Sequence, residues 1–72
     1  MFSYYKLLSK DEFSGFIVKK NAKTLEEWYW NQETRVWERI GIMMDYLLPF
    51  GLRANLYEDL TEVEVNKLTK TA

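Results

Sequence analysis

The sequence predicts a small α+β domain, built on one antiparallel sheet of three to four strands with a short middle helix and a short C-terminal helix. Up to residue 40, aromatic and β-branched segments alternate with polar turns, which is typical of strands. After Gly41 the apolar residues recur at helical spacing. A length of 72 residues, without an internal repeat, linker or low-complexity tract, predicts a single domain over residues 1–72.

The first two strands are predicted near the N-terminus. Residues 2–8 combine aromatic and aliphatic side chains around Lys6, and residues 15–18 are apolar and rich in β-branched side chains. The polar residues 9–12 between them indicate a turn. Residues 21–23 then connect the second strand to a third.

The clearest local signal is a hairpin over residues 25–40. Its two arms are rich in aromatic and β-branched residues, and a four-residue loop that begins with Asn31 separates them. Pairing of Trp30 with Arg35 places Trp28 opposite Trp37. It also places the hairpin's tryptophans on one face of the sheet, because side chains alternate between faces along a strand.

A second register of the hairpin remains open. The first register sets Glu27 opposite Glu38, and like charges in that position are destabilising. A slip of one residue removes the conflict by setting Glu27 opposite Arg39 and Tyr29 opposite Trp37. We prefer the first register.

Residues 42–48 are predicted to form a helix of about two turns. Met43, Met44, Leu47 and Leu48 lie at helical spacings and Pro49 ends the run. A strand is the alternative, since a short apolar run fits either structure. Residues 54–57 are predicted as a short edge strand.

A C-terminal helix is predicted over residues 62–70. Thr61 and Glu64 form a capping box, in which each side chain accepts a hydrogen bond from the other residue's backbone N–H. Acidic residues fill the first turn, while Lys67 and Lys70 occupy the last, as the helix dipole favours.

The composition excludes several kinds of chemistry. The chain has no Cys and no His, which rules out a disulfide framework, a thiolate nucleophile, an ordinary zinc site and a Ser-His-Asp triad. Its three glycines are scattered, so there is no phosphate-binding loop. We therefore expect no enzyme activity, no cofactor and no metal.

The charge balance and the apolar runs narrow the choice of partners. A net charge of −1 disfavours binding to duplex DNA, which a basic excess usually drives. The longest apolar run, over residues 41–50, is interrupted by Asp45 and Pro49 and is too short to span a bilayer. The N-terminus lacks a signal-peptide pattern. We therefore expect a soluble, cytoplasmic protein without a membrane partner.

The hairpin supplies the candidate binding residues. Trp and Arg are enriched at the energetic centres of protein interfaces. The candidate partner-binding residues are Trp28, Trp30, Arg35, Trp37 and Arg39. The competing interpretation is that these rings form the core and one cross-strand stack, with Arg packed on Trp.

A second apolar cluster is a candidate oligomer surface. It consists of Met43, Met44, Tyr46 and Leu47. Methionine is common on adaptable surfaces, and an apolar patch that a small chain cannot cover calls for a second copy or a target. The competing interpretation is that these residues belong to the core.

The predicted function is a non-enzymatic binding module that engages protein, either a second copy of itself or a host target, through the aromatic hairpin face. The alternative is a protein that binds single-stranded nucleic acid by stacking bases on the same rings. Four acidic residues interleaved with the rings would repel phosphates and disfavour this alternative: Glu26, Glu27, Glu33 and Glu38.

The chain resembles a group of short uncharacterised open reading frames found in Gram-positive bacteria and their phages. The resemblance is carried by Tyr4-Tyr5-Lys6-Leu7, by the strand around Trp37, and by the run Leu56-Tyr57-Glu58-Asp59-Leu60-Thr61-Glu62. It covers most of the chain, and its motifs are unspecific. It implies a small accessory or host-interaction protein and brings no catalytic residue with it.

Overall fold

The computed structural model describes residues 1–70, which form one five-stranded antiparallel sheet and two short helices. The strands are β1 (Phe2–Leu7), β2 (Ile17–Asn21), β3 (Glu27–Asn31), β4 (Val36–Ile40) and β5 (Tyr57–Leu60), and the helices are α1 (Met43–Leu47) and α2 (Glu62–Lys70). The strand order is β4-β3-β2-β1-β5, so the first four strands form a meander and β5 returns to pair with β1. The α+β class is confirmed, but the sheet has one strand more than the largest number expected.

The fifth strand is displaced from its predicted position. It runs from Tyr57 to Leu60, whereas residues 54–57 were expected to form the edge strand. Its register sets Leu7 opposite Tyr57 and Tyr4 opposite Leu60, which places apolar side chains against one another on both faces. Residues 54 and 55 instead belong to the loop that returns from α1, where Asn55 adopts a left-handed φ of 64° and donates its N–H to the carbonyl of Tyr46.

The hairpin between β3 and β4 is confirmed, but both expected registers are wrong. Trp30 lies opposite Trp37 and Trp28 opposite Arg39. Relative to the preferred register, the pairing moves by two residues, and a shift of two leaves every side chain on its expected face. It also removes the clash of acids, because Glu38 now faces Tyr29.

The shift arises in the turn, where Asn31 ends β3 instead of opening the loop. Its side-chain oxygen accepts hydrogen bonds from the N–H groups of Glu33 and Thr34, and its carbonyl accepts one from Arg35. Arg35 then adopts a left-handed φ of 59°. An Asx turn of this kind is a frequent way to close a loop with Asn.

The same turn joins β2 to β3, ten residues earlier. Asn21 accepts the N–H groups of Lys23 and Thr24 through its side chain and that of Leu25 through its carbonyl, and Leu25 has a φ of 64°. No internal repeat was expected from the sequence. The structure nevertheless uses one turn, Asn-x-x-Thr followed by a left-handed residue, twice in succession.

The core lies on one side of the sheet, which we call the covered face. Strand alternation places these side chains on it: Tyr5, Leu7, Val18, Tyr29 and Tyr57. Met43 and Tyr46 of α1 pack against Leu7 and Val18, and all four are fully buried. The remainder of this layer comes from the loop between β1 and β2, where Phe16 stacks on Tyr29 with ring centroids 4.9 Å apart.

Both predicted helices are present. The middle helix is a single short element, Met43–Leu47, rather than a strand. The C-terminal helix begins with the expected capping box: Thr61 accepts the N–H of Glu64 at 3.1 Å, and Glu64 accepts that of Thr61 at 2.9 Å. The latter hydrogen bond holds the pKa of Glu64 below its ordinary value. Val65 is the buried residue of α2.

Candidate functional site

The other side of the sheet carries a continuous set of rings and cations, which we call the aromatic face. Strand alternation brings these residues together from four neighbouring strands: Phe2, Tyr4, Lys19, Trp28, Trp30, Trp37 and Arg39. The register sets Lys19 between Tyr4 and Trp28 across the sheet. Four of the five expected binding residues therefore share one surface.

The rings of the aromatic face contact one another by their edges. Trp30 and Trp37 lie at 62° with centroids 5.4 Å apart, and Phe2 and Trp28 lie at 71° with centroids 5.8 Å apart. The three tryptophans are half-buried, and Phe2 keeps 37% of its surface exposed. Because the rings shield one another laterally, much of their area leaves water without a covering layer.

Lys19 lies at the centre of this ring cluster. Its Nζ is 4.5 Å from the centroid of Trp37, 5.0 Å from that of Phe2 and 5.6 Å from that of Trp28. Ring faces attract a cation, whereas withdrawal from water disfavours its charged form. Burial prevails and lowers the pKa of Lys19 below its ordinary value. Within residues 1–70, no carboxylate lies within ion-pair distance of this ammonium.

Arg39 lies at the rim of the aromatic face, and its charge is paired with that of Glu26. Its guanidinium carbon lies 5.4 Å from the ring centroid of Trp28, and its Nη1 donates to a carboxylate oxygen of Glu26 at 2.8 Å. Both side chains are well exposed, so the pair contributes little to stability. It does hold the guanidinium over the ring of Trp28. The two cations thus differ, since one has a carboxylate and the other has only rings.

Two of the acids that were expected to interleave with the rings lie on the covered face. One carboxylate oxygen of Glu27 accepts the N–H groups of Ile42 and Met43, both at 3.0 Å, and so caps α1 from the neighbouring strand. Glu38 accepts a hydrogen bond from the side-chain amide of Asn31. Glu33 lies in the turn. Only Glu26 of the four reaches the aromatic face, where it pairs with Arg39.

α2 approaches the opposite end of the aromatic face. Ile17 belongs to this side of the sheet by register and is buried. Tyr4 is partly buried, and that burial, together with the nearby charge of Glu62, raises the pKa of its hydroxyl. The first turn of α2 therefore lies beside β1 and β5, away from the tryptophans of β3 and β4.

Arg35 is the expected binding residue that the structure separates from the others. It occupies the left-handed position of the β3–β4 turn and is exposed. Phe2, Tyr4 and Lys19 are in turn members of the face that the sequence analysis missed. The alternation of Phe2, Tyr4 and Lys6 along β1 is the signal that could have indicated the two rings. Lys19 joins them only through the pairing of β2 with β1.

The second candidate set divides between the core and the surface. Met43 and Tyr46 are fully buried, Leu47 is half-buried and Met44 is 71% exposed. These four residues do not form a continuous surface patch. Beyond α1, the loop carries two large apolar side chains, Phe50 at 82% exposure and Leu52 at 91%.

The hydroxyl of Tyr46 ends a chain of hydrogen bonds on the covered side. Ser9 donates to Asp11 at 2.9 Å, so the 2.6 Å contact between Ser9 and Tyr46 requires Tyr46 to be the donor. Arg53 donates to Asp11 and, at 3.1 Å, to Asp45. The hydrogen bond from Arg53 lowers the pKa of Asp11. The cluster ties the β1–β2 loop to α1 and to the loop that follows it.

Within residues 1–70, the structure has neither a helix long and apolar enough to cross a membrane nor a group of three or more acidic side chains placed to hold a metal ion. No family model, curated protein or solved structure matches the chain.

Proposed function

We propose that the protein is a non-enzymatic binding module that docks another protein on its aromatic face. The observation that carries the proposal is the uncovered ring cluster of Trp28, Trp30 and Trp37, with Arg39 at its rim. Interfaces concentrate their binding energy in Trp, Tyr and Arg at the centre of a patch, where a partner excludes water. The covered face offers no such surface, because α1 lies on it.

The setting of this function is part of the same proposal. The resemblance to short open reading frames of Gram-positive bacteria and their phages supports an accessory or host-interaction role, which we place in the cytoplasm. The residues that carry the resemblance include Tyr4, Trp37 and the run from Leu56 to Glu62. Two of these, Tyr4 and Trp37, belong to the aromatic face.

A tagged-bait experiment with matched variants tests the docking role. Trp37→Ala removes a ring from the aromatic face, while Val36→Ala shortens its neighbour on the opposite side of the same strand. We expect a protein from a Gram-positive host to be retained by the wild type and by Val36→Ala and lost with Trp37→Ala. With that protein purified, titration calorimetry should show affinity for Trp37→Ala reduced by about 30-fold or more, the effect of losing a central interface side chain.

Folding must be monitored in the same preparations. Circular dichroism of each bait shows whether the sheet is intact, and Arg39→Ala offers a variant whose side chain is largely exposed and therefore safe for folding. If folded Trp37→Ala and Arg39→Ala retain the same proteins as the wild type, the aromatic face is not the docking surface.

Single-stranded nucleic acid is the second candidate ligand. The sequence analysis disfavoured it because four acids were expected among the rings, and the structure places two of them on the other side of the sheet. Glu27 and Glu38 lie on the covered face, whereas Lys19 and Arg39 lie among the rings. Against it, the chain as a whole has a net charge of −1, and binding to a phosphate backbone is usually driven by a basic excess. Tryptophan quenching by an oligothymidylate, weakening steeply with salt, would establish this ligand in place of a protein.

A further inference from the structure

The aromatic face has an unbalanced charge at its centre. Lys6 lies opposite Glu58 in the sheet, and Arg39 pairs with Glu26. Lys6 forms no ion pair within residues 1–70, but its cross-strand neighbour is an acid. Lys19 has no carboxylate partner there either, and its cross-strand neighbours are Tyr4 and Trp28, so its ammonium lies among rings. Partly desolvated cations are usually compensated by an anion, and this one is not.

The setting of Lys19 would strengthen a bond to an incoming anion. Its Nζ lies within 5.6 Å of three ring centroids, so an anion that reaches it is screened by less water than at an exposed lysine. Hydrogen bonds between charged groups are stronger than neutral ones, and a partner that covers the rings would exclude the remaining water.

A second copy of this chain is a poor occupant of the face. In a two-fold symmetric dimer the same patch meets itself, so Lys19, which lies at the centre of the patch, would lie close to Lys19 of the other copy. Like charges brought together at an interface are repulsive. Single-stranded nucleic acid is also disfavoured as the occupant of the face, because the chain as a whole has a net charge of −1. A partner that brings one carboxylate and apolar side chains fits the charge and the rings together.

We propose that the protein docked on the aromatic face presents an aspartate or glutamate carboxylate to Lys19, with apolar side chains beside it packed on Trp28 and Trp37. This rests on the proposed function and specifies its partner as an acidic, apolar peptide segment. Trp28 and Trp37 supply contact area, and Lys19 selects segments that carry the acid.

Selection from a library of random dodecapeptides displayed on phage tests this specificity and does not require the natural partner to be purified first. The wild-type protein is the target, and selected sequences are compared with the unselected library. We expect enrichment of peptides that combine Asp or Glu with aromatic or aliphatic residues. Binders are then synthesised, and their affinities are measured by fluorescence anisotropy.

Two lysine variants provide a matched pair. Lys19→Met removes the ammonium that lies among the rings of the aromatic face. Lys20→Met removes the charge of the next residue in the chain, which lies on the covered side opposite Glu27. We expect affinity for the selected peptides to fall at least about tenfold with Lys19→Met, since a hydrogen bond between charged groups is lost, and to stay within about twofold with Lys20→Met. Replacing the peptide's acid by its amide should have the effect of Lys19→Met and add little to it.

The outcomes separate the inference from the function on which it rests. The selected peptides could lose affinity with Trp37→Ala and yet bind equally well when their acid is replaced by its amide. That result overturns the role of Lys19 and leaves the docking role intact. Failure to select any peptide overturns the acidic, apolar peptide segment as the partner and leaves the docking role to the bait experiment. Selection of peptides indifferent to Trp37→Ala overturns both. Competition by an oligothymidylate that displaces the peptides at low salt would overturn the protein partner in favour of a nucleic acid.

Discussion

The two faces of the sheet bury apolar side chains in different ways. On the covered face, Leu7 and Val18 lose all contact with water because Met43 and Tyr46 of α1 lie over them. On the aromatic face, Trp28 and Trp37 are larger but remain half-buried, and their neighbours are side chains of the same face. One short helix covers one face, and the other face uses large rings that shield one another.

The polar groups differ in the same way. On the covered side, Glu27 caps α1, Asp11 binds Arg53, and Tyr46 binds Ser9. These are internal contacts that hold loops and a helix on the sheet. On the aromatic side, Lys19 is left with rings alone. These polar groups of the covered side are paired with one another, whereas the ammonium of Lys19 has rings and no carboxylate partner within residues 1–70.

The largest effect expected from the difference between the two faces is on the free energy of unfolding. Substitutions of two adjacent methionines of α1 test it. Met43 has no exposed surface, whereas Met44 is 71% exposed. We expect Met43→Ala to lower the free energy of unfolding by about 2–5 kcal/mol, because it leaves a cavity under the helix. Met44→Ala should change it by less than about 0.5 kcal/mol. Urea denaturation followed by circular dichroism gives the values for the wild type and Met44→Ala, and the circular dichroism signal in buffer shows how much of Met43→Ala remains folded.

A domain of this size rarely has more than about 3–5 kcal/mol of stability, so Met43→Ala is expected to be largely unfolded in buffer. Equal losses from the two methionines would mean that α1 does not cover the sheet as described. The two faces would then not differ in being covered by a helix, and the aromatic face could not be described as the uncovered one.

A smaller effect is expected where the loop after α1 presses against the helix. A Cβ on Gly51 would lie 2.1 Å from the carbonyl oxygen of Asp45, a backbone atom that cannot turn aside. We expect Gly51→Ala to lower the free energy of unfolding by about 1–3 kcal/mol through overpacking. Gly41→Ala is the control, since nothing lies within 4 Å of its Cβ position, and it should be near neutral.

The same denaturation series identifies what the loop does. A Gly51→Ala protein that unfolds at the urea concentration of the wild type would show that the loop can leave α1 freely. The hydrogen bond from Asn55 to Tyr46 would then not help to hold the covering layer in place.

The preferred register predicted the face of each residue within the strands of the hairpin correctly, although the register itself was wrong. It groups Trp28, Trp30 and Trp37, and a shift by two residues preserves that grouping, whereas the one-residue slip would have moved Trp37 to the other face. The register depended on Asn31, which ends β3 and closes the turn with its side chain. The same Asn and Thr spacing at Asn21 and Thr24 would have shown that the two turns are alike.

Which face lies outward could not be predicted, because both carry apolar side chains along β3. The position of α1 decides it, and Glu27 helps to hold α1 there by accepting the first N–H groups of the helix from the covered side. This contact joins residues fifteen apart in sequence, and no local pattern indicates it. The fifth strand was misplaced for a related reason, since its position depends on pairing with β1.

The smallest expected effect is an alkaline dependence of stability that belongs to the aromatic face. Burial lowers the pKa of Lys19 in the folded protein, while the unfolded chain keeps the ordinary value of about 10.5. Between these two values the unfolded chain binds a proton that the folded protein has released, so the free energy of unfolding rises with pH in that window. Tyr4, whose pKa is raised, acts in the opposite direction above its ordinary value of 10.0.

The difference between wild type and Lys19→Met isolates the contribution of Lys19, because Tyr4 titrates in both proteins. Urea midpoints measured at intervals from about pH 7 to pH 10 should rise more steeply, or fall less, for the wild type than for Lys19→Met. Lys20→Met, which changes the covered side, should follow the wild type. If the wild type and Lys19→Met run parallel, the ammonium is as well hydrated as any surface lysine, and an incoming carboxylate would gain nothing from the rings around it.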